Sequence, residues 1–445
     1  MMSVAVSTRF LSVCATVLAL ALIDPCALAY AGDGQDAGAP ESAAPISGPD
    51  TEGHGIGTQI NRILKLMGDG DAKALFDLYQ SATDPIVHAW AAMAVERVRF
   101  NLDAASHDAQ LCEDKLLDSH PAIALLCGQF RAGDLRLAGR AQAALDLEVS
   151  LAHKFESRHV DARLALMRRY LDVETEVPQM SIDALSGDVT IALQHDKTQP
   201  TFDVAANGRE VTVILDTGAT DLVLGAEKAR ELGVKLLDQK GHTRGWVSKD
   251  VPIQRGVLET LKANTIVWHN VPVRVVPNRI ALLGGNLLAP LGTIALSRHS
   301  LQILDGRSNV PACEDEMITG TDLHGRNLRV LPSFAVNGVP QTVLLDTGSH
   351  RFLLGTKAAL DEVTRLQRGS IALGDVGGHH AFVNAEEAKI RMTISHQPFD
   401  IHFVVLSDSE TKYAITLGAD ALRDMDFVLD FRHQHLCFPM HGDLH

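Results

Sequence analysis

Positive charge is scarce in this sequence. Its 445 residues include 40 lysines and arginines against 55 aspartates and glutamates, which gives a formal net charge of −15. Proteins that bind nucleic acid concentrate lysine and arginine on one face, and no part of this chain does so. The composition therefore excludes nucleic acid as a partner.

Several familiar motifs are also missing. The sequence contains no G-x-S-x-G, no H-E-x-x-H and no P-loop. Its N-terminal apolar run, at 10–23, falls short of the roughly 20 residues that a membrane-spanning helix needs. We therefore expect no cofactor, no metal and no stable membrane insertion.

The N-terminus reads as a targeting signal and not as part of the fold. A basic residue precedes the apolar run, and small residues mark cleavage positions after Ala29 or Ala31. We expect residues 1–31 to be a signal peptide and the mature protein to be exported, either to a periplasm or to the medium. The alternative is an uncleaved membrane anchor. Residues 32–57, with almost no bulky apolar side chain, are expected to be a disordered linker.

Cysteine is used sparingly, with six in the chain and four after the signal. In an oxidising compartment, proximity along the chain favours one disulfide between Cys112 and Cys127 and another between Cys313 and Cys437. Free buried thiols are the alternative.

The segment 58–175 has the pattern of helices. Asp84 followed by Pro85 predicts a capped helix start, and apolar residues then recur near one face. Short glycine or aspartate breaks separate alanine-rich segments of this kind, which resembles tetratricopeptide-type repeats, although no strict period is visible. We expect an all-α domain that recruits a protein partner or packs on its neighbour.

After Pro178 the pattern changes to short β-branched runs separated by turn residues. Asn-Gly pairs at 207–208 and 337–338 predict tight hairpins. Short helices are expected at 226–234 and 356–363. The sequence therefore predicts an all-β region that follows the helical one.

This β region contains an internal repeat. The segment "VILDTGATDLVLG" recurs 130 positions later as "VLLDTGSHRFLLG", and residues 284–298 align without a gap with 418–432. We expect two copies of one lobe, at 186–308 and 320–440.

Each copy carries one Asp-Thr-Gly triplet, beginning at Asp216 and at Asp346. If the lobes pack about a pseudo-two-fold axis, the two carboxyl groups face each other. Two carboxylates about 3 Å apart cannot both ionise, so they share a proton. The ionised member can take a proton from water while the protonated member donates to a substrate carbonyl. The pattern therefore predicts hydrolysis without a metal.

The residues around each aspartate suit this chemistry. The glycines let the backbone turn sharply and let the opposite loop approach closely. The threonine hydroxyls are expected to hydrogen-bond across to the other loop. We assign a supporting role in the active site to the residues that complete the two motifs, which are Thr217, Gly218, Ala219, Thr347, Gly348 and Ser349.

The segments "LDTGATDLVLG…LLGGNLL" and "LDTGSHRFLLG…TLGADAL" resemble the retropepsin-like aspartic proteases, particularly bacterial aspartyl-protease domains, here fused in tandem over about 188–439. The resemblance implies that Asp216 and Asp346 are the catalytic aspartates. It also implies that Gly284 and Gly418 belong to the strand that packs beneath each DTG loop. One chain would then supply both halves of the site, as a single-chain pseudo-dimer that we expect to be a monomer.

Two departures from the family pattern stand out. Pepsin-like enzymes place a flap tyrosine in the first lobe, whereas this lobe has none between its DTG and Gly284; residues 241–250 and 374–382 are the flap candidates. Gly284-Gly285-Asn286 also departs from the hydrophobic-Gly-x-Asp pattern that the second lobe keeps at 417–420. We therefore expect a looser loop register in the first lobe.

Histidines offer rival metal sites. Strand alternation would place His433, His435 and Cys437 on one face, yet three ligands on one strand splay too far to share one ion. His379 and His380 fall in a predicted loop, where histidines are usually solvated. We expect neither group to hold a metal.

The sequence as a whole predicts an exported aspartic-type endopeptidase, a hydrolase that acts on a peptide or protein substrate. The alternative is a non-catalytic peptide-binding adaptor that retains the aspartic-protease fold, because a fold alone does not fix activity.

Overall fold

The structure is a computed structural model. It describes residues 55–441, except 159, 195–198, 244, 246, 247, 249, 306–312, 314, 357–364, 375–379, 395, 396 and 407–412. The side chains of residues 161, 365–368, 380 and 381 are likewise not described. The expected signal peptide, nearly all of the expected linker and almost all of the expected helix at 356–363 therefore lie outside the described residues.

The N-terminal part of the described chain is helical. Its seven α-helices are α1 (Ile56–Asp69), α2 (Ala72–Ser81), α3 (Pro85–Val98), α4 (Leu102–Leu116), α5 (Pro121–Leu137), α6 (Ala141–Lys154) and α7 (Asp161–Glu174). As predicted, Asp84 caps α3, because its side chain accepts hydrogen bonds from the backbone N–H groups of Ile86 and Val87. A disulfide between Cys112 and Cys127, the pairing expected from the sequence, joins α4 to α5.

Lobe one follows as a barrel-like sheet. Its elements are β1 (Ser181–Ile182), β2 (Val189–Ala192), β3 (Thr201–Ala206), β4 (Arg209–Leu215), β5 (Leu222–Gly225), α8 (Ala226–Glu231), β6 (Lys235–Thr243), β7 (Val251–Ala263), β8 (Ile266–Val276), β9 (Ala281–Leu283), α9 (Gly285–Leu288), β10 (Thr293–Leu296) and β11 (Ser300–Leu304). Eight of the described strands form one sheet in the order β1-β8-β5-β9-β4-β3-β7-β6, and a pairing of β7 with β8 closes it.

Lobe two repeats this plan. Its strands are β12 (Asp315–Glu316), β13 (Thr319–Thr321), β14 (Leu328–Val330), β15 (Ser333–Val336), β16 (Val339–Leu345), β17 (Leu353–Thr356), β18 (Arg365–Gly374), β19 (His380–Ile394), β20 (Gln397–Leu406), β21 (Ile415–Leu417), β22 (Phe427–Asp430) and β23 (His435–Cys437). Seven of these described strands pair in the order β15-β16-β21-β17-β20-β19-β18, and β15 also pairs with β19. The predicted Asn-Gly turns join β3 to β4 and β15 to β16, with positive φ at Asn207, Gly208, Asn337 and Gly338.

A shared sheet joins the two lobes. Its described strands run in the order β12-β23-β22-β10-β11-β2, with β10 antiparallel to β22 at the centre. Thr293 pairs with Asp430, and Leu296 pairs with Phe427. In the gap-free alignment of the repeats Thr293 corresponds to Phe427 and Leu296 to Asp430, so the pairing is symmetric about a two-fold axis.

The helices hold the β13–β14 hairpin that precedes the lobe-two barrel. Arg97 of α3 is fully buried, and its Nη1 donates hydrogen bonds of 3.0 Å to the carbonyl oxygens of Asp322 and Leu323, in the turn of that hairpin. The Thr319 hydroxyl of β13 donates to the carbonyl oxygen of Val98 at 3.1 Å. The helical region is therefore packed against the base of the β region.

The described residues bear out the predicted fold class, an all-α region followed by a bilobal all-β region. One continuous apolar core extends through both lobes. Among the described helices, none has the length and apolar character required to cross a membrane.

Candidate active site

Each Asp-Thr-Gly aspartate stands at the end of a strand in the middle of its lobe. β4 ends at Leu215 and runs parallel to β9, so the backbone N–H of Asp216 donates to the carbonyl oxygen of Leu283 at 3.0 Å. β16 runs parallel to β21 in the same way, and the N–H of Asp346 donates to Leu417 at 2.9 Å. Both carboxyl groups are thus fixed by rigid elements.

The two loops are joined by crossed hydrogen bonds. The Thr217 hydroxyl donates to the carbonyl oxygen of Leu345 at 2.8 Å, and the Thr347 hydroxyl donates to that of Leu215 at 2.6 Å. Each hydroxyl also accepts the backbone N–H of the other threonine at 3.1 Å. All four groups are buried, so the lobes are held in register where the aspartates face each other.

Glycine is required where the loops approach most closely. A Cβ atom at Gly218 would lie 2.5 Å from Cγ of Asp346, and one at Gly348 would collide with the Asp216 carboxyl group. Each motif glycine therefore packs against the aspartate of the other lobe, and no side chain fits at either position.

Gly284 and Gly418 lie against the back of the two loops. A Cβ atom at Gly284 would be 2.5 Å from the carbonyl oxygen of Thr220, and one at Gly418 would be 2.5 Å from that of Ser349. The loop after Gly284 keeps the register of its counterpart, because Asn286 N–H donates to Thr220 O at 2.9 Å. The expected loosening of lobe one is absent, since backbone groups set this register.

Both carboxyl groups are buried, with exposures of 9% for Asp216 and 4% for Asp346. Burial raises the pKa of each, and the neighbouring Asp346 raises the pKa of Asp216 further, to well above the usual range. Oδ1 of Asp216 accepts the backbone N–H of Ala219 at 2.9 Å, and Oδ1 of Asp346 accepts that of Ser349 at 3.2 Å. These bonds fix the orientation of the two carboxyl planes.

Two polar residues outside the motifs also belong to this site. Arg329 of β14 is 7% exposed, and its Nη1 donates to the Thr220 hydroxyl at 2.8 Å, beside the first loop. Its charge lowers the pKa of both aspartates and so partly offsets their burial. The Gln199 side chain of lobe one donates to the carbonyl oxygen of Gly348 in lobe two.

These two residues were missed by sequence reasoning because neither belongs to an Asp-Thr-Gly motif. For Arg329, the internal repeat contains an indication in the sequence. Arg329 stands three positions before Pro332, and Lys197 stands three positions before Pro200 in the first repeat. Comparing the repeats upstream of the motifs would have drawn attention to a basic residue at this position.

A cleft of about 1050 Å³ lies between the lobes, with both aspartates in its wall. Thr243 and Gly245, from the hairpin of β6 and β7, line it from lobe one, and Gly374 at the end of β18 lines it from lobe two. Described parts of both flap candidates thus face the cleft, whereas Trp246 and residues 375–379 lie outside the described residues.

The group His433, His435 and Cys437 near the C-terminus, considered above as a metal site, contains a cysteine that forms a disulfide. Cys437 is joined to Cys313, the other pairing expected from the sequence, so it has no thiolate to offer. The His433 ring interacts with Asp430 at 2.7 Å. Within the described part of the chain, no cluster of three or more His, Cys, Asp or Glu side chains could hold a metal ion. His379 and the side chain of His380 lie outside the described residues.

Part of the first β lobe is similar to a known protein family. Residues 202–287, which include the first Asp-Thr-Gly loop and Gly284, match the family model described as aspartyl protease. That segment is similar to the aspartyl protease family over these residues. The resemblance to retropepsin-like aspartic proteases seen in the sequence is thereby confirmed. The family match and the bilobal fold support a peptidase, and hence a hydrolase.

Two solved structures are similar to parts of the chain. A retropepsin-like aspartic protease from Rickettsia conorii is 20% identical with a TM-score of 0.21, over 28% of this chain and 91% of the other. Basic 7S globulin from soybean is 12% identical with a TM-score of 0.34, over 60% of this chain and 96% of the other. No curated protein sequence matches the chain.

Proposed function

We propose that the protein is an exported aspartic endopeptidase that hydrolyses peptide bonds with a water molecule activated by Asp216 and Asp346 together. The observation that carries the proposal is the set of crossed threonine hydrogen bonds, which brings one aspartate from each lobe to a single cleft. Neither lobe contains a complete site by itself, and this explains why the motif occurs twice.

The proposed mechanism uses the proton that the two carboxyl groups share. Burial and mutual repulsion disfavour the doubly ionised pair, so one proton is retained over a range of pH. The ionised carboxylate takes a proton from the water that attacks the peptide carbonyl carbon, and the protonated carboxyl donates its proton to the carbonyl oxygen. Collapse of the tetrahedral intermediate then releases the amine, which takes up a proton.

The proposed substrate is an extended segment of a peptide or protein. Residues of both lobes line the cleft, and the β6–β7 and β18–β19 hairpins stand at its edge. An extended chain can hydrogen-bond to such hairpins as an added strand. We expect several substrate residues on each side of the cleaved bond to be bound.

Export, a monomeric state and recruitment of a protein partner through the helices are parts of the same proposal. The disulfides Cys112–Cys127 and Cys313–Cys437 support the first of these, since such bonds persist in oxidising compartments. Mass spectrometry of protein recovered from the periplasm or medium should give an N-terminus after Ala29 or Ala31. Full-length protein confined to the cytoplasm would contradict export.

The direct test is cleavage of an unfolded protein by the purified chain from acid to neutral pH. Cleavage should be blocked by a pepstatin-type inhibitor and should resist EDTA and reagents against serine or cysteine proteases, because the proposed site needs only carboxyl groups and water. Activity lost with EDTA and restored by zinc would overturn the proposal. Peptide binding without cleavage at any pH would identify an adaptor instead.

A further inference from the structure

A small cavity of about 120 Å³ lies where the helical region meets lobe one. Arg136 of α5 and Tyr170 of α7 line it from the helices, Asn286 lines it from lobe one, and Arg326 lines it from the turn before β14. The Asn286 backbone N–H donates to Thr220 O, so the cavity lies directly behind the loop that carries Asp216.

One of the arginines that line the cavity has no direct ion pair with a described carboxylate. Four of its residues are arginines, and three of them have carboxylate partners within 3.0 Å, in the pairs Arg136–Glu148, Arg255–Glu174 and Arg274–Asp221. The fourth, Arg326, forms no ion pair with a described carboxylate, and its guanidinium lies 3.7 Å from the centre of the Tyr170 ring. The charge of Glu148, which is bonded to Arg136, acts on Arg326 only at longer range. A buried cation whose neighbouring carboxylate is already bonded to a second arginine is stabilised further when an anion joins it.

Two buried polar atoms of the lining also lack hydrogen-bond partners within the described chain. They are Nη1 of Arg326, a donor, and Oδ1 of Asn286, an acceptor. The two residues are adjacent, because Nδ2 of Asn286 donates to the carbonyl oxygen of Arg326 at 2.7 Å. A ligand that accepts one hydrogen bond and donates another would satisfy both atoms.

The internal repeat shows that lobe two has a carboxylate where lobe one has Asn286. The residue of lobe two that corresponds to Asn286 is Asp420, whose carboxylate pairs with Arg423 at 3.1 Å. Lobe one has an uncharged amide at this position, next to an arginine that forms no direct ion pair with a described carboxylate. The negative charge that Asp420 carries in lobe two is therefore absent from the corresponding position of lobe one, beside Arg326.

We propose that this cavity is a binding site for one small oxyanion that bears a hydroxyl group, of the kind represented by hydrogen phosphate. A phosphate oxygen would accept from Nη1 of Arg326, and the phosphate hydroxyl would donate to Oδ1 of Asn286. The cavity volume limits the ligand to about one such group, which favours a free anion over a large ester. A water molecule would satisfy the same two atoms but would bring no negative charge into direct contact with Arg326.

Calorimetric titration of the full chain with inorganic phosphate, near pH 7 and at constant ionic strength, tests the proposal without any measurement of peptide hydrolysis. We expect saturable binding with one site per chain and a matching rise in the melting temperature. Sulfate should bind about tenfold or more weakly, because it has no hydroxyl for Asn286 at this pH. A parallel titration with glycerol phosphate distinguishes a phosphate ester from the free anion. Inorganic phosphate should bind more tightly than glycerol phosphate.

Arg326→Gln should weaken phosphate binding by about tenfold or more, since it removes a charge-assisted hydrogen bond. Arg391→Gln is the matched control, because Arg391 is an exposed arginine of lobe two that is paired with Asp400. It should leave phosphate binding unchanged.

Asn286→Asp provides a second variant that places a carboxylate beside Arg326. It should abolish the phosphate effect, because the negative charge would then be part of the chain. Equal effects of phosphate, sulfate and chloride on the wild type, or phosphate binding that survives both Arg326→Gln and Asn286→Asp, would overturn the proposal and leave the cavity to water.

Discussion

The crossed threonine hydrogen bonds can be tested by Thr217→Val, which preserves side-chain shape and removes one hydroxyl. That hydroxyl donates to the carbonyl oxygen of Leu345 and accepts the backbone N–H of Thr347, at 2.8 and 3.1 Å. Both partners are buried, and valine offers neither of them a hydrogen bond. The substitution therefore leaves two buried backbone groups without partners.

Each unsatisfied buried group costs about 1–3 kcal/mol, so Thr217→Val should lower the free energy of unfolding by roughly 2–6 kcal/mol. Thr347→Val should cost a similar amount, since its hydroxyl makes the symmetry-related pair of bonds. The double variant should cost less than the sum, because opening one half of the arrangement lets water reach the other half.

Urea unfolding of the purified variants measures these losses. Thr342→Val is the matched control, because Thr342 is an exposed threonine of the strand that leads to Asp346. It should change stability by no more than about 0.5 kcal/mol. A loss below that value for both Thr217→Val and Thr347→Val would show that the crossed bonds do not hold the lobes together.

Three further predictions concern charge and covalent links. The Arg329 charge lowers the pKa of both aspartates, so Arg329→Met should move both limbs of the pH–activity profile to higher pH. Arg329→Lys keeps the charge and should leave the profile in place. An unchanged profile for Arg329→Met would contradict this reasoning. Burial raises the pKa of Asp216 above its unfolded value, so wild-type stability falls as pH rises from the usual 3.8 through the folded pKa. The stability of Asp216→Asn relative to the wild type, measured by unfolding at several pH values, should therefore increase over that range of pH. A constant difference would count against a buried, coupled carboxyl. Reduction of the disulfides, which close loops of 15 and 124 residues, should lower stability by about 3–5 kcal/mol each, whereas an unchanged melting temperature with four titratable thiols would exclude them.

Local chemistry made much of the fold predictable. Asp84 before Pro85 identified the start of α3, and the Asn-Gly pairs at 207–208 and 337–338 identified two hairpin turns. The gap-free alignment of 284–298 with 418–432 indicated equivalent strands, and the symmetric pairing of β10 with β22 agrees with it. These features depend on residues that are neighbours in sequence or repeat at fixed spacing.

Interactions between distant segments were not predictable in the same way. The bond from Arg329 to Thr220 and the contact of Arg326 with Tyr170 both depend on how the helices and the β13–β14 hairpin pack against lobe one. No periodicity records such packing. The expected loosening around Asn286 was wrong because a side-chain pattern was used to judge contacts that backbone N–H groups make.

The central claim is that Asp216 and Asp346 act as one catalytic unit, and the most direct measurement is kcat/KM for Asp216→Asn, Asp346→Asn and the double variant. Each single substitution should lower kcat/KM by about a thousandfold or more, and the double variant should be no worse, because residues that act as a unit are strongly non-additive. Peptide binding should persist in all three. Substantial turnover in either single variant would contradict the shared site and point to one lobe acting with its counterpart in a second chain.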